Sequence, residues 1–591
     1  MPAAQRKGLN EMQTRLGYIL PLFKALGWDI NNINEVSPEE KVSRGWVDFS
    51  FRIGNTPRFF LETKKVNEDL NDPRWVKQAI DYAWTKSVTW ALLSDFEGLR
   101  VFNAELKTDN PLLAQFIEFN LDTYLTDFER LWWLSKEEVL AKRLDREAEH
   151  WGKKAKREPV SQQLFESLKT WRGLLHNDYK NFNKLFAAEA DSIVLRLLNR
   201  LIFIRTAEDR EVEENRLHSL VRDLEARGKF ADLPNELSKL FREFDKIYNS
   251  ELFAPHTLDG SYATPSNLKD VIDGMYGTRY LQYNFNALDA DVLGTVYEQY
   301  LGSIVATDSD SKKKAQPKLL GGDVLTVQER KQKRKSQGIY YTPAFVTKHI
   351  VQQTVGKYLN EQGYNPSKPL RVLDMACGSG SFLIEAFDVI DDFVAKQRGH
   401  AQRGEVDFHD RVRQLEVLQN CIFGVDKDKQ AMEVARLNLL LRGLHSREKL
   451  PMLENIAHGN SLHHEIVETN FSQVMKQGGF DVIVGNPPYV RIQTLDKTEV
   501  EFFNQNFESA TGNYDIYVLF VERAMQLLKL GGVMGFILPN KFMQVDYGVG
   551  LRKLLSENQY VEQVVDFKSF QVFEGATTYT CLLFLRPCLK T

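Results

Sequence analysis

The sequence predicts a multidomain α/β protein in which a helical segment separates two mixed α/β domains. Residues 46–64 alternate apolar and polar side chains around a turn, which is typical of a β-hairpin. The middle of the chain carries long helical patterns. After residue 370, short apolar runs end in an acid, an amide or a glycine-rich turn, as the strands of a parallel sheet do. We therefore expect domains at residues 1–150, 151–337 and 338–591.

Composition and charge are those of an ordinary globular protein. The length of 591 residues fits roughly three to five domains. With 43% hydrophobic and 26% charged residues, each domain can bury a core. The formal net charge of −4 excludes a uniformly basic protein, so any surface that contacts nucleic acid has to be local.

The cysteines indicate a reducing compartment. Cys377, Cys421, Cys581 and Cys588 form no CxxC pair and no metal-binding spacing. This pattern predicts reduced thiols and a cytoplasmic location. No apolar run approaches the length that spans a membrane, and no signal peptide is visible, so we expect no membrane partner.

The first domain opens with an amphipathic helix at residues 12–26, closed by Gly27. In the hairpin that follows, a period of two places Glu62 and Lys64 on one face, and Asp48 joins them if the strand register allows. Two carboxylates can hold Mg²⁺ through oxygen, and a nearby lysine can orient the attacking water. The alternative is a solvated strand face without chemistry.

The segment after the hairpin favours chemistry at this face. A helix that begins at residue 73 carries Gln78 and Tyr82, which are four residues apart and so lie on one side. Strands are predicted at residues 89–93 and 99–103, with a turn between them.

An acid, then Glu-x-Lys, then Gln in this order resembles the PD-(D/E)xK nucleases, in particular the nuclease module at the N-terminus of restriction subunits. Val47 stands where that family usually has proline. Glu11, on the first helix, is a further acid that such a site could use. The alternative is an inactive nuclease fold that serves as a DNA clamp. The resemblance implies Mg²⁺ bound by Asp48 and Glu62, and catalytic roles for Asp48, Glu62, Lys64 and Gln78.

The middle of the chain is predicted to be a helical connector. Residues 192–206 are apolar on all sides, which indicates a buried helix, and residues 290–302 form another amphipathic helix. Nothing here has catalytic spacing, and the segment is similar to the connector of single-chain restriction-methylation enzymes. Residues 307–337 hold an excess of lysine and arginine, so they either contact DNA phosphates or form a solvated linker.

The last domain begins with a strand and turn that fit a particular ligand. A buried strand at residues 370–374 ends in Asp374, and residues 375–382 form a glycine-rich turn into a helix. Leu383 occupies the position of the third glycine in a dinucleotide-binding turn. An acid at the strand end suits a ligand with a cationic or amino group, and S-adenosylmethionine carries both. The next strand ends in Asp426, placed to accept from ribose hydroxyls, and Asn460 is available to the cofactor's adenine.

A buried strand at residues 480–483 leads into the sequence Asn486-Pro487-Pro488-Tyr489. Because two prolines cannot continue a sheet, they form a rigid corner at the carboxyl end of the strand. Asn486 and a backbone carbonyl can then accept from an exocyclic amino group, while Tyr489 stacks on a flipped-out adenine. The simpler alternative is a proline loop with a buried tyrosine.

In this order the residues resemble the gamma-class amino-methyltransferases. They are most similar to the adenine-specific part of type II restriction-modification enzymes that fuse a nuclease to a methyltransferase. The resemblance implies a Rossmann-like sheet of seven strands with one reversed, so the expected fold class is a restriction-endonuclease-like α/β nuclease, a helical connector and this methyltransferase. The remaining strands fall at residues 533–538, 561–567 and 579–585, and Phe573 is a second ring for the base. Cofactor contacts are implied for Tyr340, Thr342, Pro343, Asp374, Ala376, Cys377, Gly378, Gly380, Phe382, Asp426, Asn460 and Asn486.

The expected function is methylation of adenine N6 in double-stranded DNA with a flipped base, together with Mg²⁺-dependent cleavage. The alternatives are a cytosine N4 target, a subunit of a multi-chain defence complex, or a protein that only senses S-adenosylmethionine. Such enzymes normally continue into a target-recognition domain, which we expect a further segment or a separate chain to supply. No Gly-x-x-x-x-Gly-Lys-Ser/Thr motif is present, which predicts cleavage without ATP at a fixed distance from the recognised site.

Overall fold

A computed structural model gives the structure of the chain as two compact units, Met1–Glu166 with Tyr276–Leu288 and Ser167–Met275 with Asp289–Thr591. The expected three-domain limits stay a prediction. The structure describes residues 8, 10–42, 45–53, 56–66, 68–86, 88–104, 110–141, 143–150, 160–210, 212–248, 251–256, 259, 263–276, 285, 342–397, 408–573 and 578–587. The predicted helix at 290–302, the basic segment 307–337 and Tyr340 lie outside these residues.

The first unit contains a six-stranded sheet whose strands follow one another in chain order. The pair β3–β4 is parallel and the other neighbouring pairs are antiparallel. A parallel pair needs a crossover connection, and the helix Pro73–Thr85 provides it. The strands are β1 (Val36–Val42), β2 (Gly45–Ile53), β3 (Thr56–Thr63), β4 (Trp90–Ser94), β5 (Gly98–Asn103) and β6 (Gln115–Asn120).

The helices of the first unit include the predicted N-terminal one, which a π-helical turn at Arg15–Ile19 divides in two. It ends before Gly27, whose positive φ of 88° suits glycine. Asp72 caps the helix that begins with Pro73. These helices are α1 (Glu11–Thr14), α2 (Leu20–Ala25), α3 (Pro73–Thr85), α4 (Thr123–Thr126), α5 (Phe128–Trp132), α6 (Lys136–Leu140) and α7 (Arg143–His150).

Aromatic side chains on one face of β2 and β3 form the core of the first unit. Phe51 and Phe59 stack with ring centroids 4.5 Å apart, and the edge of Trp28 closes on both. The other face is buried too, since Ser50 is fully buried and Glu62 is 4% exposed. The solvated strand face, an alternative from the sequence pattern, is therefore wrong.

The predicted helical connector contains long, buried helices. Residues 192–206 fall inside one of them, and their apolar side chains are buried as expected. The helices are α8 (Val160–Phe182), α9 (Ala187–Asp209), α10 (Arg216–Ala226), α11 (Leu233–Tyr248) and α12 (Pro265–Tyr276).

The second unit contains a seven-stranded sheet in the order β12-β13-β11-β10-β7-β8-β9. Strand β13 runs antiparallel to both of its neighbours, while the other neighbouring pairs are parallel. The expected sheet with one reversed strand is confirmed. The strands are β7 (Val372–Asp374), β8 (Ile422–Asp426), β9 (Ile456–His458), β10 (Phe480–Gly485), β11 (Leu528–Pro539), β12 (Val561–Asp566) and β13 (Thr580–Leu585).

Helices accompany this sheet in the α/β alternation that parallel strands require. They are α13 (Ala344–Val351), α14 (Lys357–Gln362), α15 (Ser381–Gln397), α16 (Phe408–Asn420), α17 (Lys429–Arg442), α18 (His464–Asn470), α19 (Ser472–Lys476), α20 (Lys497–Asn506), α21 (Tyr517–Leu527) and α22 (Val549–Asn558). Helix α9 packs on α17. After α9, the Arg210 guanidinium donates to the carbonyls of Leu441 and Leu444, which fastens the connector helices to the end of α17.

Candidate active sites

Four polar side chains lie along the carboxyl edge of the second sheet. Asp374 and Asp426 are the last residues of β7 and β8, Asn486 directly follows β10, and Asn460 comes two residues after β9. Because the strand order is β10-β7-β8-β9, these side chains occupy neighbouring strand ends in the order Asn486, Asp374, Asp426, Asn460. Adjacent strands lie about 4.8 Å apart, so the row is compact. Open α/β sheets bind ligands at this edge.

Asp374 is held in place by its surroundings. It is 2% exposed, and the Ala376 N–H donates to its Oδ1 at 3.0 Å. Gly485, at the end of the neighbouring strand, has a φ of 153°, and a Cβ there would lie 2.7 Å from the same oxygen. Only glycine at position 485 therefore leaves room for the Asp374 carboxylate beside the turn that leads to Asn486.

The glycine-rich turn wraps around the end of β8. The Gly378 N–H donates to Asp426 Oδ2 at 2.8 Å, and the Cys377 N–H donates to the Val425 carbonyl at 3.0 Å. Gly380 has a φ of 91°, and a Cβ there would lie 3.2 Å from Cβ of Ala435 on α17. The turn therefore brings its backbone close to both the sheet and a helix.

Two predicted cofactor contacts on this turn are packed into the core. Phe382 is 4% exposed and Cys377 is 5% exposed. Burial, followed by the charges of Asp426 and Asp374, raises the pKa of the Cys377 thiol well above its usual range. A protonated, buried thiol is not a nucleophile.

Asp426 carries a perturbed carboxyl. Burial raises its pKa to about 6, against the lowering effect of N–H donors from Asp428 and Gly378. It is therefore largely ionised at neutral pH and can accept hydrogen bonds.

Asn460 is tied to a residue that no sequence pattern singles out. Its Nδ2 donates to Glu499 Oε1 at 3.1 Å, and its Oδ1 accepts from the Leu462 N–H at 3.2 Å. Lys427 also donates to Glu499, at 2.9 Å. Glu499 lies on α20, 39 positions along the chain from Asn460, so only the folded chain brings the two together.

Asn486 makes a contact between two predicted site residues. Its Nδ2 donates to Thr342 Oγ1 at 3.0 Å, and Thr342 is 6% exposed. Pro343 is the N-cap of α13, so the start of that helix is held beside the corner after β10. Of the corner's prolines, Pro487 is buried and Pro488 half-buried.

Tyr489 is buried within a group of aromatic rings. It is 9% exposed, and its hydroxyl donates to the Ile537 carbonyl at 3.2 Å. The rings of Phe573 and Tyr517 each lie 6.1 Å from it in edge-on geometry. Phe573 is thus brought beside Tyr489, as a second ring at this site requires.

In the first unit, the hairpin brings Asp48 beside β3. The Thr63 N–H and hydroxyl both donate to Asp48 Oδ2 at 2.6 Å. The Arg15 guanidinium binds Asp48 Oδ1 and donates to Thr63 Oγ1 at 3.1 Å. Arg15 is also paired with Glu11 at 3.2 Å. Sequence patterns did not single out Arg15, because its partner Asp48 is 33 positions away.

Glu62 is a buried acid close to Asp48. Burial, together with the charge of Asp48, raises its pKa to about 8, although Lys64 and Arg15 lower it. Lys64 Nζ lies 3.7 Å from Glu62 Oε2, while Glu62 Oε1 is buried and has no hydrogen-bond partner in the part of the chain that the structure describes.

The remaining predicted nuclease residues lie on or next to α3. Gln78 Nε2 donates to the Tyr82 hydroxyl at 3.1 Å, so the two residues meet as the helical spacing predicted. The Lys64 ammonium lies 4.5 Å above the ring of Trp75. This contact fixes the lysine beside Glu62.

Comparisons with known proteins show what the chain is similar to. A profile described as "Eco57I restriction-modification methylase" matches residues 420–573. The type II restriction enzyme and methyltransferase RM.Eco57I from Escherichia coli is 31% identical over 98% of this chain and 60% of its own length. The chain is similar to the restriction-modification methylases. It spans about three-fifths of the length of that curated relative.

Two further similarities concern a curated methyltransferase and a solved structure. The adenine-specific methyltransferase PglX from Streptomyces coelicolor is 27% identical over 37% of this chain and 20% of its own. The crystal structure of the type IIG restriction endonuclease BpuSI aligns with 97% of this chain and 57% of its own, at 16% identity and a TM-score of 0.42. The expected relationship to fused restriction-modification enzymes is confirmed by RM.Eco57I.

The row Asn486, Asp374, Asp426 and Asn460 fits S-adenosylmethionine. Its two carboxylates can accept hydrogen bonds from amino and hydroxyl groups, and the glycine-rich turn lies directly against Asp426 through the Gly378 N–H. Asp374, Asp426 and Asn460 are the residues that would hold it.

One oxygen of the Asp48 and Glu62 carboxylates in the first unit is suited to bind a divalent cation. Glu62 Oε1 is a buried oxygen without a hydrogen bond, which a cation would satisfy. Among the residues that the structure describes, no three or more His, Cys, Asp and Glu side chains form a metal-binding group. Within the same residues, no helix is long and apolar enough to cross a membrane.

Proposed function

We propose that this chain transfers a methyl group from S-adenosylmethionine to the N6 amino group of an adenine in double-stranded DNA. The observation that carries the proposal is the row Asn486, Asp374, Asp426 and Asn460 on adjacent strand ends. It puts the side chain that would face a target base next to the residues that would hold the cofactor. The names of RM.Eco57I and PglX support the reaction and the adenine target.

The residues of the corner act on the base. Asn486 Oδ1 and the Pro487 carbonyl accept from the exocyclic amino group, which raises the electron density on its nitrogen. The hydrogen bond from Asn486 Nδ2 to Thr342 orients the amide so that its oxygen can take this role. Tyr489 and Phe573 provide aromatic surface for a flipped base. When bound, S-adenosylmethionine supplies an activated methyl group on its sulfonium.

We further propose that the first unit is a Mg²⁺-dependent DNA endonuclease. Asp48 and Glu62 would hold the cation, and Lys64, fixed between Glu62 and Trp75, would orient the attacking water. The buried oxygen of Glu62 without a hydrogen bond supports this role. An inactive nuclease fold is the second candidate, favoured by the binding of Asp48 to Arg15.

Two measurements test these proposals. Incubation with unmethylated DNA and S-adenosylmethionine carrying a labelled methyl group should yield N6-methyladenine in the digested nucleosides. N4-methylcytosine would redirect the proposal to cytosine, and binding without transfer would indicate a sensor. Nicking of DNA in Mg²⁺ that Lys64→Ala abolishes would support the nuclease over the inactive fold. A separate recognition chain, if one is needed, is added to both assays.

A further inference from the structure

The Arg15 guanidinium binds Asp48, one of the two carboxylates that would hold a cation at the proposed nuclease site. Asp48 uses Oδ2 to accept both the N–H and the hydroxyl of Thr63, each at 2.6 Å. Its Oδ1 is bound by Arg15. Thr63 therefore occupies Oδ2 of Asp48, and Arg15 occupies Oδ1.

Arg15 makes three further contacts near Asp48. Its Nε donates to Thr63 Oγ1 at 3.1 Å, its Nη2 pairs with Glu11 at 3.2 Å, and its guanidinium lies 5.5 Å from the ring centre of Phe49. Arg15 also begins the π-helical turn that interrupts the first helix. Such turns often occur at functional sites, because the extra residue re-aims a side chain.

The charges of the cluster explain what Arg15 does there. The acids Glu11, Asp48 and Glu62 are paired with the two cations Arg15 and Lys64, which leaves one net negative charge when all are ionised. A divalent cation would turn this into one net positive charge, with two cations on the same carboxylate. Moving Arg15 away restores a neutral cluster.

We propose that Arg15 is a positioning residue that holds Asp48 when no divalent cation is bound and competes with the cation for Asp48 Oδ1. This inference rests on the proposed nuclease function. Arg15 offsets the charge of the half-buried Asp48 carboxylate beside the buried Glu62, and its bond to Oδ1 has to break before that oxygen can bind a metal. The cation concentration needed for cleavage is therefore set partly by Arg15.

Mn²⁺ binding, followed by electron paramagnetic resonance, tests the proposal without a cleavage assay. Arg15→Gln should bind Mn²⁺ at a concentration about tenfold lower than the wild type does. Arg15→Lys should fall between them, because lysine keeps the charge but cannot donate to both Asp48 and Thr63 in the same way. Arg74→Gln is the matched control, since Arg74 is exposed and pairs with Asp72 away from the acids of this cluster.

The outcomes separate the role of Arg15 from the function on which it rests. Thermal unfolding first establishes that each variant is folded, and Arg15→Lys replaces Arg15→Gln if the latter is not. Equal or weaker Mn²⁺ binding by the folded Arg15 variant overturns the competition. If Glu62→Gln abolishes Mn²⁺ binding while the Arg15 variant fails to tighten it, only the role of Arg15 falls. If Glu62→Gln leaves binding unchanged, the carboxylates are not a cation site, and the nuclease proposal falls as well.

Discussion

Gly485 and Asp374 lie at the ends of adjacent parallel strands and fit against each other. A Cβ on Gly485 would stand 2.7 Å from Asp374 Oδ1, closer than side-chain atoms can approach. The backbone of Gly485 also has a φ of 153°. Asp374 would face the cofactor, and the corner that carries Asn486 would face the target base. Because Gly485 packs against Asp374, a shift of either one would move the other.

Replacing Gly485 with alanine should displace both Asp374 and the corner that carries Asn486. The new methyl group would push Asp374 from its place, and the positive φ would cost about 1–2 kcal/mol. We expect S-adenosylmethionine binding, measured by calorimetry, to weaken at least about tenfold. Gly531→Ala is the control, because Gly531 also has a positive φ, 80°, but a Cβ added there would meet no atom within 4 Å. Equal cofactor affinity in the two variants would contradict the assignment of Asp374.

Cofactor affinity should depend on pH through Asp426. Its pKa is raised from 3.8 to about 6, so below about pH 6 the carboxyl gains a proton and becomes a poorer acceptor. Affinity for S-adenosylmethionine should therefore fall by about tenfold per pH unit below that point. Calorimetry between about pH 5 and about pH 7.5 measures this.

The raised pKa of Asp426 also predicts how the free energy of unfolding changes with pH. Because the folded pKa of Asp426 exceeds the unfolded value, its contribution to the free energy of unfolding is full below about pH 4 and is lost as the pH rises through about 6. Asp426→Asn should flatten both the affinity profile and this part of the stability profile. A variant whose affinity keeps the wild-type pH dependence would show that another group titrates.

The ring of Tyr489 and its hydroxyl group can be tested separately. Tyr489→Ala removes aromatic surface worth roughly 1–3 kcal/mol per stacked base, so kcat/KM for DNA should fall about 5-fold to 160-fold. Cofactor binding should stay largely intact. Tyr489→Phe keeps the ring and loses only the hydrogen bond to the Ile537 carbonyl, worth about 1 kcal/mol. Unchanged kcat/KM for DNA in Tyr489→Ala, or a loss of cofactor binding that by itself accounts for the lower rate, would refute the role of this residue.

Cleavage should need Mg²⁺ but no ATP. The chain has no Gly-x-x-x-x-Gly-Lys-Ser/Thr motif to bind the phosphates of a nucleotide. In the presence of whatever recognition chain is required, cuts should occur at a fixed distance from the recognised site whether or not ATP is added. Strict dependence on ATP, or cuts scattered far from the site, would show that a motor subunit takes part.

The strands that carry the proposed methyl-transfer site were predictable because each leaves a local signal. Apolar runs that end in Asp374, Asp426 or Asn486 identify parallel strands, and parallel strands bring their carboxyl ends to one edge. The hairpin of Asp48 and Glu62 follows from a period of two in the same way. The presence of one reversed strand was predicted from the family resemblance, because nothing in the sequence of β13 itself gives its direction.

Other features were not predictable, because they depend on contacts between distant positions. Arg15 meets Asp48 and Glu499 meets Asn460 only after the chain has folded. Strand β1 was missed because it contains Pro38 and charged residues, which suit only an edge strand.

The most direct test of the central claim compares the wild type with Asn486→Ala in one experiment. Both proteins are titrated with S-adenosylmethionine and then given unmethylated DNA and labelled cofactor. We predict that both bind the cofactor, and that only the wild type produces N6-methyladenine. Substantial N6-methyladenine formation by Asn486→Ala would contradict the account, as would a wild type that binds the cofactor and methylates only cytosine.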